Sequence, residues 1–320
     1  MSSPPPFGFL CCNKPTGMTS RDVVNVVQRR LPRKTKVGHA GTLDPLAEGV
    51  LVIGIGPAVR LVPYVQQQPK HYVATFRLGQ SSVSGDLEGE ITHHDNLPEP
   101  TREQLDDAAL TLVGQVEQTP PAHSAIWVDG RRAYQRIRAG EEFEMPKRIV
   151  QVDRFTITRY AYPEVDLDIV CGSGTYIRTL GIDLAIAAGS TSVMSFLSRV
   201  GVGSFRLEDS VSIETLRDGD FLSSLLPASR AVEHLSHASV CDEESARLGN
   251  GLCIDLSEDR YEDRGQAGVV VARLADAEPQ ETTQEQVPEI AAMDREGRLR
   301  AILRRKRGQW CPYRVFATED

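Results

Sequence analysis

The sequence predicts an α+β protein in which a mixed β-sheet domain is followed by a small, mostly β domain. Helical and strand patterns are interspersed in the first 236 of the 320 residues, without the regular strand–helix–strand repeat of a parallel fold. After that point the chain shows mainly short β-type runs. Domains hold ~100–200 residues, so this length accommodates two. We expect a first domain over residues 1–236 and a second over residues 237–320.

The first elements follow from apolar spacing and from residues that start or stop a helix. Thr19 or Ser20 can cap a helix whose apolar residues recur at helical intervals, and Pro32 ends it. Apolar runs typical of strands lie on both sides of this helix, and one of them alternates with Tyr72 on its apolar face. The predicted strands in this part of the chain are residues 7–12, 50–55 and 70–78.

The middle of the chain contains an acidic segment and further elements. Residues 79–128 carry a net charge of −8 and begin with a loop rich in serine and glycine, and we expect an insertion within the first domain. Residues 164–171 alternate between apolar and polar side chains, which predicts a half-buried strand. The predicted helices are residues 101–112, residues 131–139, which are basic and end at Gly140, and residues 176–188.

Short β-type runs characterise the last part of the chain. They cover residues 268–274, 290–293 and 299–303. The segment between the first two, residues 275–287, is rich in Glu, Gln and Thr, which favours a mobile loop. These patterns predict a small domain built mostly from strands.

Several function classes lack support in the sequence. The longest nearly apolar run, residues 49–59, is shorter than the ~20 residues of a membrane-spanning helix. The six cysteines form no C-x-x-C pair and no zinc spacing, so we expect free thiols in a reducing cytosol. Neither a P-loop nor a G-x-G-x-x-G pattern occurs, so no nucleotide cofactor is indicated. The N-terminus does not resemble a secretory signal, which favours a cytoplasmic protein.

Charge is unevenly distributed along the chain. The net charge of −8 argues against a polyanionic partner, yet residues 1–77 and 295–314 each carry +7, while residues 237–294 carry −10. A basic run is usually a solvated face, but several together favour a surface that binds a polyanion. The basic residues concerned are Arg29, Arg30, Arg33, Lys34, Lys36, Arg131, Arg132, Arg136, Arg138, Arg304, Arg305, Lys306 and Arg307.

Residues 38–49 form the most unusual stretch of the sequence. Three glycines allow tight turns, and Pro45 biases Asp44 away from the helical conformation. Leu43 and Leu46 flank the aspartate and a buried strand follows, so we expect a carboxylate enclosed by apolar groups. Such a carboxylate is costly unless it is paired or used. The residues alone leave open whether Asp44 closes a turn through its own backbone.

A second unusual stretch, residues 172–178, has the sequence G-S-G-T-Y-I-R. It follows a predicted strand and leads into a predicted helix, with Tyr176 and Arg178 at the helix start. Arg178 could pair with a carboxylate from elsewhere in the fold, or it could be solvated. Neither stretch alone identifies a reaction.

Taken together, these stretches resemble the TruB family of tRNA pseudouridine synthases. The pattern G-H-x-G-x-L-D-P-x-A-x-G is highly specific, and the matching blocks occur in the family's order. The end of the chain resembles, more weakly, the PUA-type or TruB C-terminal RNA-binding domain. The matching blocks are residues 8–10, 13–20, 38–49, 70–72, 129–134, 174–178 and 195–199.

The resemblance implies that the protein isomerises uridine 55 in the T-arm of tRNA to pseudouridine, without a cofactor and on a base flipped out of its stack. Asp44 would be the catalytic aspartate, Tyr72 would stack on the base and Arg178 would pair with the aspartate. A further set of residues would line the uracil pocket, hold the RNA or support the loop. These are His39, Tyr176, Leu197 and Lys14.

The implied partner is the T-arm stem-loop of tRNA, whose phosphates the basic residues would contact. We expect no metal, no membrane and no obligate protein partner, and a monomer is the default oligomeric state. One alternative is an RNA-binding or tRNA-folding chaperone with weak or no catalysis. Another is a catalytic subunit guided by a small RNA, which residues 79–128 disfavour because such a block is typical of stand-alone enzymes.

Overall fold

The structure is a computed structural model. It describes residues 6–121, 145–257 and 288–316, together with positions 127, 128, 131, 132, 136, 139, 141, 143 and 260–262. One large mixed sheet and one smaller sheet, both accompanied by helices, form an α+β architecture. The predicted fold class is confirmed. No helix in these ranges is long and apolar enough to cross a membrane.

The strands of the described residues are β1 (Gly8–Lys14), β2 (Val37–His39), β3 (Glu48–Ile55), β4 (Lys70–Leu78), β5 (Gln80–Ser81), β6 (Thr92–His93), β7 (Gly114–Gln118), β8 (Trp127–Val128), β9 (Arg131–Arg132), β10 (Arg148–Ala161), β11 (Glu164–Cys171), β12 (Ser192–Val202), β13 (Phe205–Arg206), β14 (Ser236–Ser239), β15 (Tyr261–Glu262), β16 (Glu289–Met293), β17 (Leu299–Lys306) and β18 (Gln309–Val315). The helices are α1 (Ser20–Arg29), α2 (Val62–Gln67), α3 (Arg102–Leu110), α4 (Ile177–Ala187), α5 (Ile213–Asp218) and α6 (Asp242–Gly249). Short 3-10 helices cover Gly56–Leu61, Leu207–Asp209, Leu222–Ser224 and Ala228–Val232.

The large sheet has the strand order β1-β3-β12-β4-β11-β10-β7, with β2 paired to β3 and β13 paired to β12. β3 and β12 run parallel, whereas β4 runs antiparallel to both of its neighbours, β12 and β11. This order places β4, the strand of Tyr72, inside the sheet. It also brings the start of β3, directly after the Asp44 loop, beside β12.

Most elements with a clear local pattern form where the sequence predicts them. Residues 70–78 are strand β4, and Tyr72, Ala74 and Phe76 alternate on its buried face. Helix α1 begins after Thr19, whose side chain accepts a hydrogen bond from the backbone of Asp22 while the Asp22 carboxylate accepts one from the Thr19 backbone. This reciprocal cap satisfies N–H groups that the first helical turn leaves free.

Strands β7, β10 and β12 were not predicted, because their patterns are irregular. β12 buries Ser192, Ser198 and Arg199, polar residues that hide the apolar period. β10 has two register shifts against β11, and each shift breaks the two-residue alternation that identifies a strand. These strands are nevertheless integral to the sheet, since β12 and β10 pair along most of their length.

The predicted helix over residues 131–139 is wrong at its start. Arg131 and Arg132 form strand β9, which pairs antiparallel with Trp127 and Val128. Arg136 is helical. Arg138 lies outside the described residues, as do the side chain of Arg132, the strand predicted over residues 268–274 and the loop predicted over residues 275–287.

The smaller sheet has the order β15-β14-β16-β17-β18 and packs against the first part of the chain. Phe316, which is buried, stacks on Phe7 with ring centroids 5.9 Å apart. The phenol of Tyr64 in α2 donates a hydrogen bond of 2.5 Å to Glu289 in β16. The two sheets are therefore joined by a shared apolar cluster. Members of this cluster include Phe9, Val52, Leu61, Val232, Ile302 and Phe316.

The expectation of six free thiols is wrong for two cysteines. Cys253 and Cys311 form a disulfide across a sequence separation of 58 residues. Ile254 and Trp310 exchange backbone hydrogen bonds of 2.9 and 3.0 Å, so the adjacent cysteines take the narrow spacing of an antiparallel pair, with Cα atoms 4.1 Å apart. Strand pairing between distant segments creates this bond, and no local spacing could indicate it. The free cysteines are Cys11, Cys12, Cys171 and Cys241.

Candidate active site

Hydrogen bonds between Ser20 and Leu43, the residue before Asp44, fix the loop that carries Asp44. The Leu43 N–H donates to the Ser20 hydroxyl at 2.8 Å, and that hydroxyl donates to the Leu43 carbonyl at 3.0 Å. Ser20 is buried at the start of α1. Because both backbone groups beside Asp44 are bonded, the first helix holds this part of the loop in one conformation.

Lys14 also supports this loop, through hydrogen bonds from its ammonium group. Its side chain is fully buried, and the ammonium donates to the carbonyls of Met18 at 2.7 Å and Pro15 at 3.0 Å, with Pro45 at 3.5 Å. Burial lowers the pKa of Lys14 to about 8, although the nearby Asp44 carboxylate opposes this shift. Lys14 has no exposed surface, and its contacts are with the segment that supports the Asp44 loop.

Arg199 holds the other side of the loop and was given no role from the sequence. It is buried on β12, and its guanidinium donates to the carbonyls of Val50 at 2.8 Å, Gly41 at 3.2 Å and Thr42 at 3.4 Å. Gly49 allows this close approach: its φ is +100°, and an added Cβ would lie 2.4 Å from the Arg199 backbone oxygen. The sequence signal that could have identified Arg199 is its position as an arginine within an apolar strand.

Asp44 and Arg178 form the ion pair that the sequence left open. Nη2 of Arg178 donates to Oδ2 of Asp44 at 2.7 Å, and the same nitrogen lies 3.0 Å from Oδ2 of Asp86. Nη1 of Arg178 donates to the Ser84 carbonyl at 2.6 Å. The arginine is therefore held on two sides by residues of the 79–128 segment and presents its charge to Asp44. Asp86 was not identified from the sequence.

The surroundings of Asp44 differ from the expected apolar enclosure. Leu43 is buried and Leu46 is half-buried, but the side chain of Asp44 is 52% exposed. Pro45 and the hydrogen-bonded backbone turn the carboxylate outwards, where Arg178, with its side chain only 13% exposed, meets it. One face of the carboxylate is consequently open to an incoming substrate.

Tyr72 and Leu197 lie on adjacent strands beside the loop. Both are buried and share an apolar cluster with Leu43. Tyr72 is the register partner of Arg199 across β4 and β12. Burial is the main cause that raises the pKa of Tyr72, so its phenol keeps its proton near neutral pH.

Tyr176 and His39 are both half-buried at the ends of elements. Tyr176 is the N-cap of α4, two residues before Arg178. His39 is the last residue of β2, directly before the Asp44 loop, and it pairs with Ile53 of β3. Tyr176 therefore lies at the start of the helix that carries Arg178, and His39 lies at the start of the loop that carries Asp44.

The basic residues fall into two groups. Arg30 binds the carbonyls at the end of α5, namely those of Leu216, Arg217 and Gly219, and Arg304 pairs with Glu289 at 2.7 Å while lying over the ring of Tyr313. These two arginines have structural partners. Arg131 is exposed and pairs with Glu141 at 2.7 Å. Of the other basic residues singled out in the sequence, those with exposed side chains are Arg29, Arg33, Lys34, Lys36, Arg305, Lys306 and Arg307.

Within the described part of the chain, no group of three His, Cys, Asp or Glu residues could hold a metal ion. The chemistry that the arrangement offers is that of a paired carboxylate. Asp44 is held by its loop, kept beside a cation and open to solvent on one side, so it can act as a nucleophile or as a base.

Comparison with known proteins gives a consistent result. Residues 29–177 match the family model for TruB family pseudouridylate synthase (N terminal domain). The chain is 42% identical over 337 residues to tRNA pseudouridine synthase B of Rhodopirellula baltica, covering 98% of this chain and 96% of the relative. It is 36% identical over 316 residues to tRNA pseudouridine synthase B of Caulobacter vibrioides, covering 97% and 96%.

A solved structure shares the fold. A chain in the structure of an H/ACA RNP bound to a substrate RNA containing 2'-deoxyuridine superposes with a TM-score of 0.68 at 20% sequence identity. The match covers 98% of this chain and 86% of that chain. Identity at this level shows similarity of fold alone.

Proposed function

Because the chain belongs to the TruB family of pseudouridylate synthases, we propose that it isomerises uridine 55 in the T-arm of tRNA to pseudouridine. That it is a tRNA pseudouridine synthase follows from relatives matched over nearly its whole length. The single observation that carries the proposed chemistry is the 2.7 Å contact between Arg178 and the half-exposed Asp44.

The reaction breaks the bond between C1′ of the ribose and N1 of uracil, turns the base, and joins C1′ to C5. C5 loses its proton and N1 gains one, so the atoms balance. No net oxidation or reduction occurs, so a carboxylate can serve without a redox group. Arg178 places a cation 2.7 Å from the Asp44 carboxylate and so orients it. The ionised form is required for attack on the ribose or the uracil, and for removal of a sugar proton.

The uracil pocket in this proposal is formed by Tyr72, Leu197 and Tyr176. Tyr72 and Leu197 supply an apolar wall beside the loop. A neutral phenol at Tyr72 suits stacking on a base, since a phenolate would bring a second negative charge towards Asp44. Burying a base here requires that it leave its stack, at a cost of a few kcal/mol, and His39 beside the loop would help to hold the RNA in that state.

The exposed basic residues would bind the tRNA backbone. Arg29, Arg33 and Lys34 follow or end α1, whose first turn supports the Asp44 loop, and a second group lies on the β17–β18 hairpin. Phosphate contacts of this kind supply affinity and orientation without reading sequence. In this proposal residues 1–236 are the catalytic domain and residues 237–320 a PUA-like RNA-binding domain of a cytoplasmic monomer without an obligate protein partner.

The proposal is tested with a T-arm stem-loop RNA and mapping of pseudouridine at single-nucleotide resolution. The wild-type protein should form pseudouridine at position 55. Asp44→Asn should abolish the product while RNA affinity stays the same, because the substitution removes the charge but keeps the shape. Asp95→Asn, which changes an exposed aspartate, is the matched control and should react like the wild type.

Full turnover by Asp44→Asn would contradict the mechanism. A wild-type protein that binds the stem-loop and forms no pseudouridine would instead favour the alternative, an RNA-binding or tRNA-folding chaperone. Comparing the pseudouridine content of tRNA from cells with and without this protein would test the position of modification.

A further inference from the structure

Tyr176 is contacted by two residues that face each other across neighbouring strands. Gln118 ends β7, Arg148 begins β10, and the two are register partners at the edge of the large sheet. Gln118 contacts the backbone of Tyr176, and Arg148 contacts its ring. Neither residue has a place in the catalytic arrangement described above.

Both the oxygen and the nitrogen of the Gln118 side-chain amide form hydrogen bonds with the backbone of Tyr176. The Tyr176 N–H donates to Oε1 of Gln118 at 2.8 Å, and Nε2 of Gln118 donates to the Tyr176 carbonyl at 2.9 Å. Gln118 is 1% exposed. Two antiparallel hydrogen bonds in a site closed to water fix the position of the Tyr176 backbone, where α4 begins.

Arg148 lies over the ring of Tyr176, with Cζ 4.8 Å from the ring centroid. Its Nε and Nη2 atoms are shielded from solvent and have no hydrogen-bond partner among the described residues. A buried N–H group without a partner costs stability, so Arg148 is not explained as a contributor to folding. The interaction that Arg148 does make at this position is its contact with the Tyr176 ring.

The position of Tyr176 affects Arg178 as well. Tyr176 has an extended backbone and its side chain forms no cap for α4, so the helix start depends on outside contacts. Arg178, two residues on, is in the first turn of α4 and contacts Asp44. A displacement of Tyr176 would therefore move a wall of the uracil pocket and the partner of the catalytic aspartate together.

We propose that Gln118 and Arg148 are positioning residues that hold Tyr176, through its backbone and its ring, in the orientation required by the flipped uridine. This inference rests on the proposed function, because it assigns Tyr176 to the uracil pocket. It gives the 79–128 segment a role in catalysis, since Gln118 belongs to that segment.

The test measures three quantities on full-length variants: the single-turnover rate with a T-arm stem-loop, the dissociation constant for that RNA, and the melting temperature. Arg148→Met and Gln118→Met should each lower the rate about 10- to 100-fold, because small misplacements of a reacting group have effects of this size. The dissociation constant should stay within about twofold of the wild-type value, because phosphate contacts dominate affinity.

The melting temperature separates positioning from folding. Arg148→Met should melt at or above the wild-type temperature, because an apolar side chain replaces a half-buried guanidinium whose shielded Nε and Nη2 atoms have no hydrogen-bond partner among the described residues. Arg148→Lys, which keeps a cation near the ring, should recover part of the rate. Gln115→Ala on β7 and Lys147→Met beside β10 alter exposed residues of the same region and should react like the wild type.

A readout independent of activity uses 3-fluorotyrosine placed at position 176. The wild-type protein should give one narrow fluorine resonance, and Arg148→Met and Gln118→Met should shift or broaden it. An unchanged resonance together with wild-type rates would overturn the inference. If the wild type forms no pseudouridine, the proposed function fails, and the fluorine spectra still decide whether this pair fixes Tyr176.

Discussion

The carboxylate of Asp86 lies 3.0 Å from Nη2 of Arg178, the nitrogen that also donates to Asp44 at 2.7 Å. Asp86 is 1% exposed and accepts hydrogen bonds from the Ser84 hydroxyl at 2.6 Å and the Glu88 N–H at 3.1 Å. A buried, bonded carboxylate keeps Arg178 in place before substrate arrives. Asp44 thus meets a cation whose orientation is already set.

Asp86→Asn should slow pseudouridine formation about 100-fold, because Arg178 loses the charge that orients it towards Asp44. RNA affinity should not change. The measurement is the single-turnover rate with a T-arm stem-loop, alongside Glu88→Gln, an exposed neighbour that serves as control. A wild-type rate for Asp86→Asn would show that Asp44 and the Ser84 carbonyl suffice to hold the arginine.

The basic residues at the end of the chain should separate into binding and structural groups. Changing Arg305, Lys306 and Arg307 together to alanine should weaken tRNA binding and reduce the slope of log affinity against log salt by about 2 to 3, if each contacts one phosphate. All three are exposed. Titrations at several salt concentrations measure this slope, and an unchanged slope would refute the phosphate contacts.

Arg304→Ala should act on stability instead. Arg304 is paired with Glu289 and lies over the ring of Tyr313. Glu289 also accepts a hydrogen bond from the phenol of Tyr64 in α2. Removing one partner leaves a poorly compensated carboxylate at the contact between the two sheets. We expect a lower melting temperature and a nearly unchanged salt slope for this variant, in contrast to the triple substitution.

Cys253 and Cys311 should be resistant to alkylation without a reductant. Four cysteines are free and two are joined, so the denatured, unreduced protein should take up four alkyl groups, and six after reduction. Mass spectrometry counts the additions. Cys253→Ser should lower the stability of the oxidised protein, by up to ~4 kcal/mol in the chain-entropy model, whereas uptake of six groups without reductant would exclude the bond.

Lys70 should make stability depend on pH. Burial, reinforced by Arg199, lowers the pKa of Lys70 from 10.5 to about 7, while its ammonium donates to the Gln68 carbonyl at 2.7 Å and the Ser173 hydroxyl at 2.9 Å. Between these two pKa values the unfolded chain binds more protons than the folded one. The contribution of Lys70 to the free energy of unfolding therefore rises with pH across this window.

Urea unfolding of the wild type and of Lys70→Met across pH 7 to 10 checks this sign. The difference in free energy of unfolding, wild type minus variant, should increase as the pH rises, because the variant lacks the buried ammonium. Parallel curves for the two proteins would show that Lys70 has the same proton affinity in both states.

Local patterns were sufficient for part of the site. The Asp44 loop was found because three glycines, a proline and two leucines surround one carboxylate within residues 38–49. Arg178 was a candidate partner because it stands at a helix start. Arg199 and Asp86 were missed, since each acts on residues far away in the sequence. The apolar neighbours of Arg199 mark it as unusual, but they do not indicate its partners.

The sequence by itself determined the α+β class, the first helix with its cap, strand β4 and the segment of Asp44, the candidate catalytic residue, because capping and alternation act between neighbouring residues. Only the tertiary structure decided the order of the strands, the disulfide, the exposure of Asp44 and the contacts of Arg178, Asp86, Gln118 and Arg148. These depend on pairing between segments far apart in the chain. Such pairing is fixed by the register of the whole sheet, which no single stretch of sequence contains.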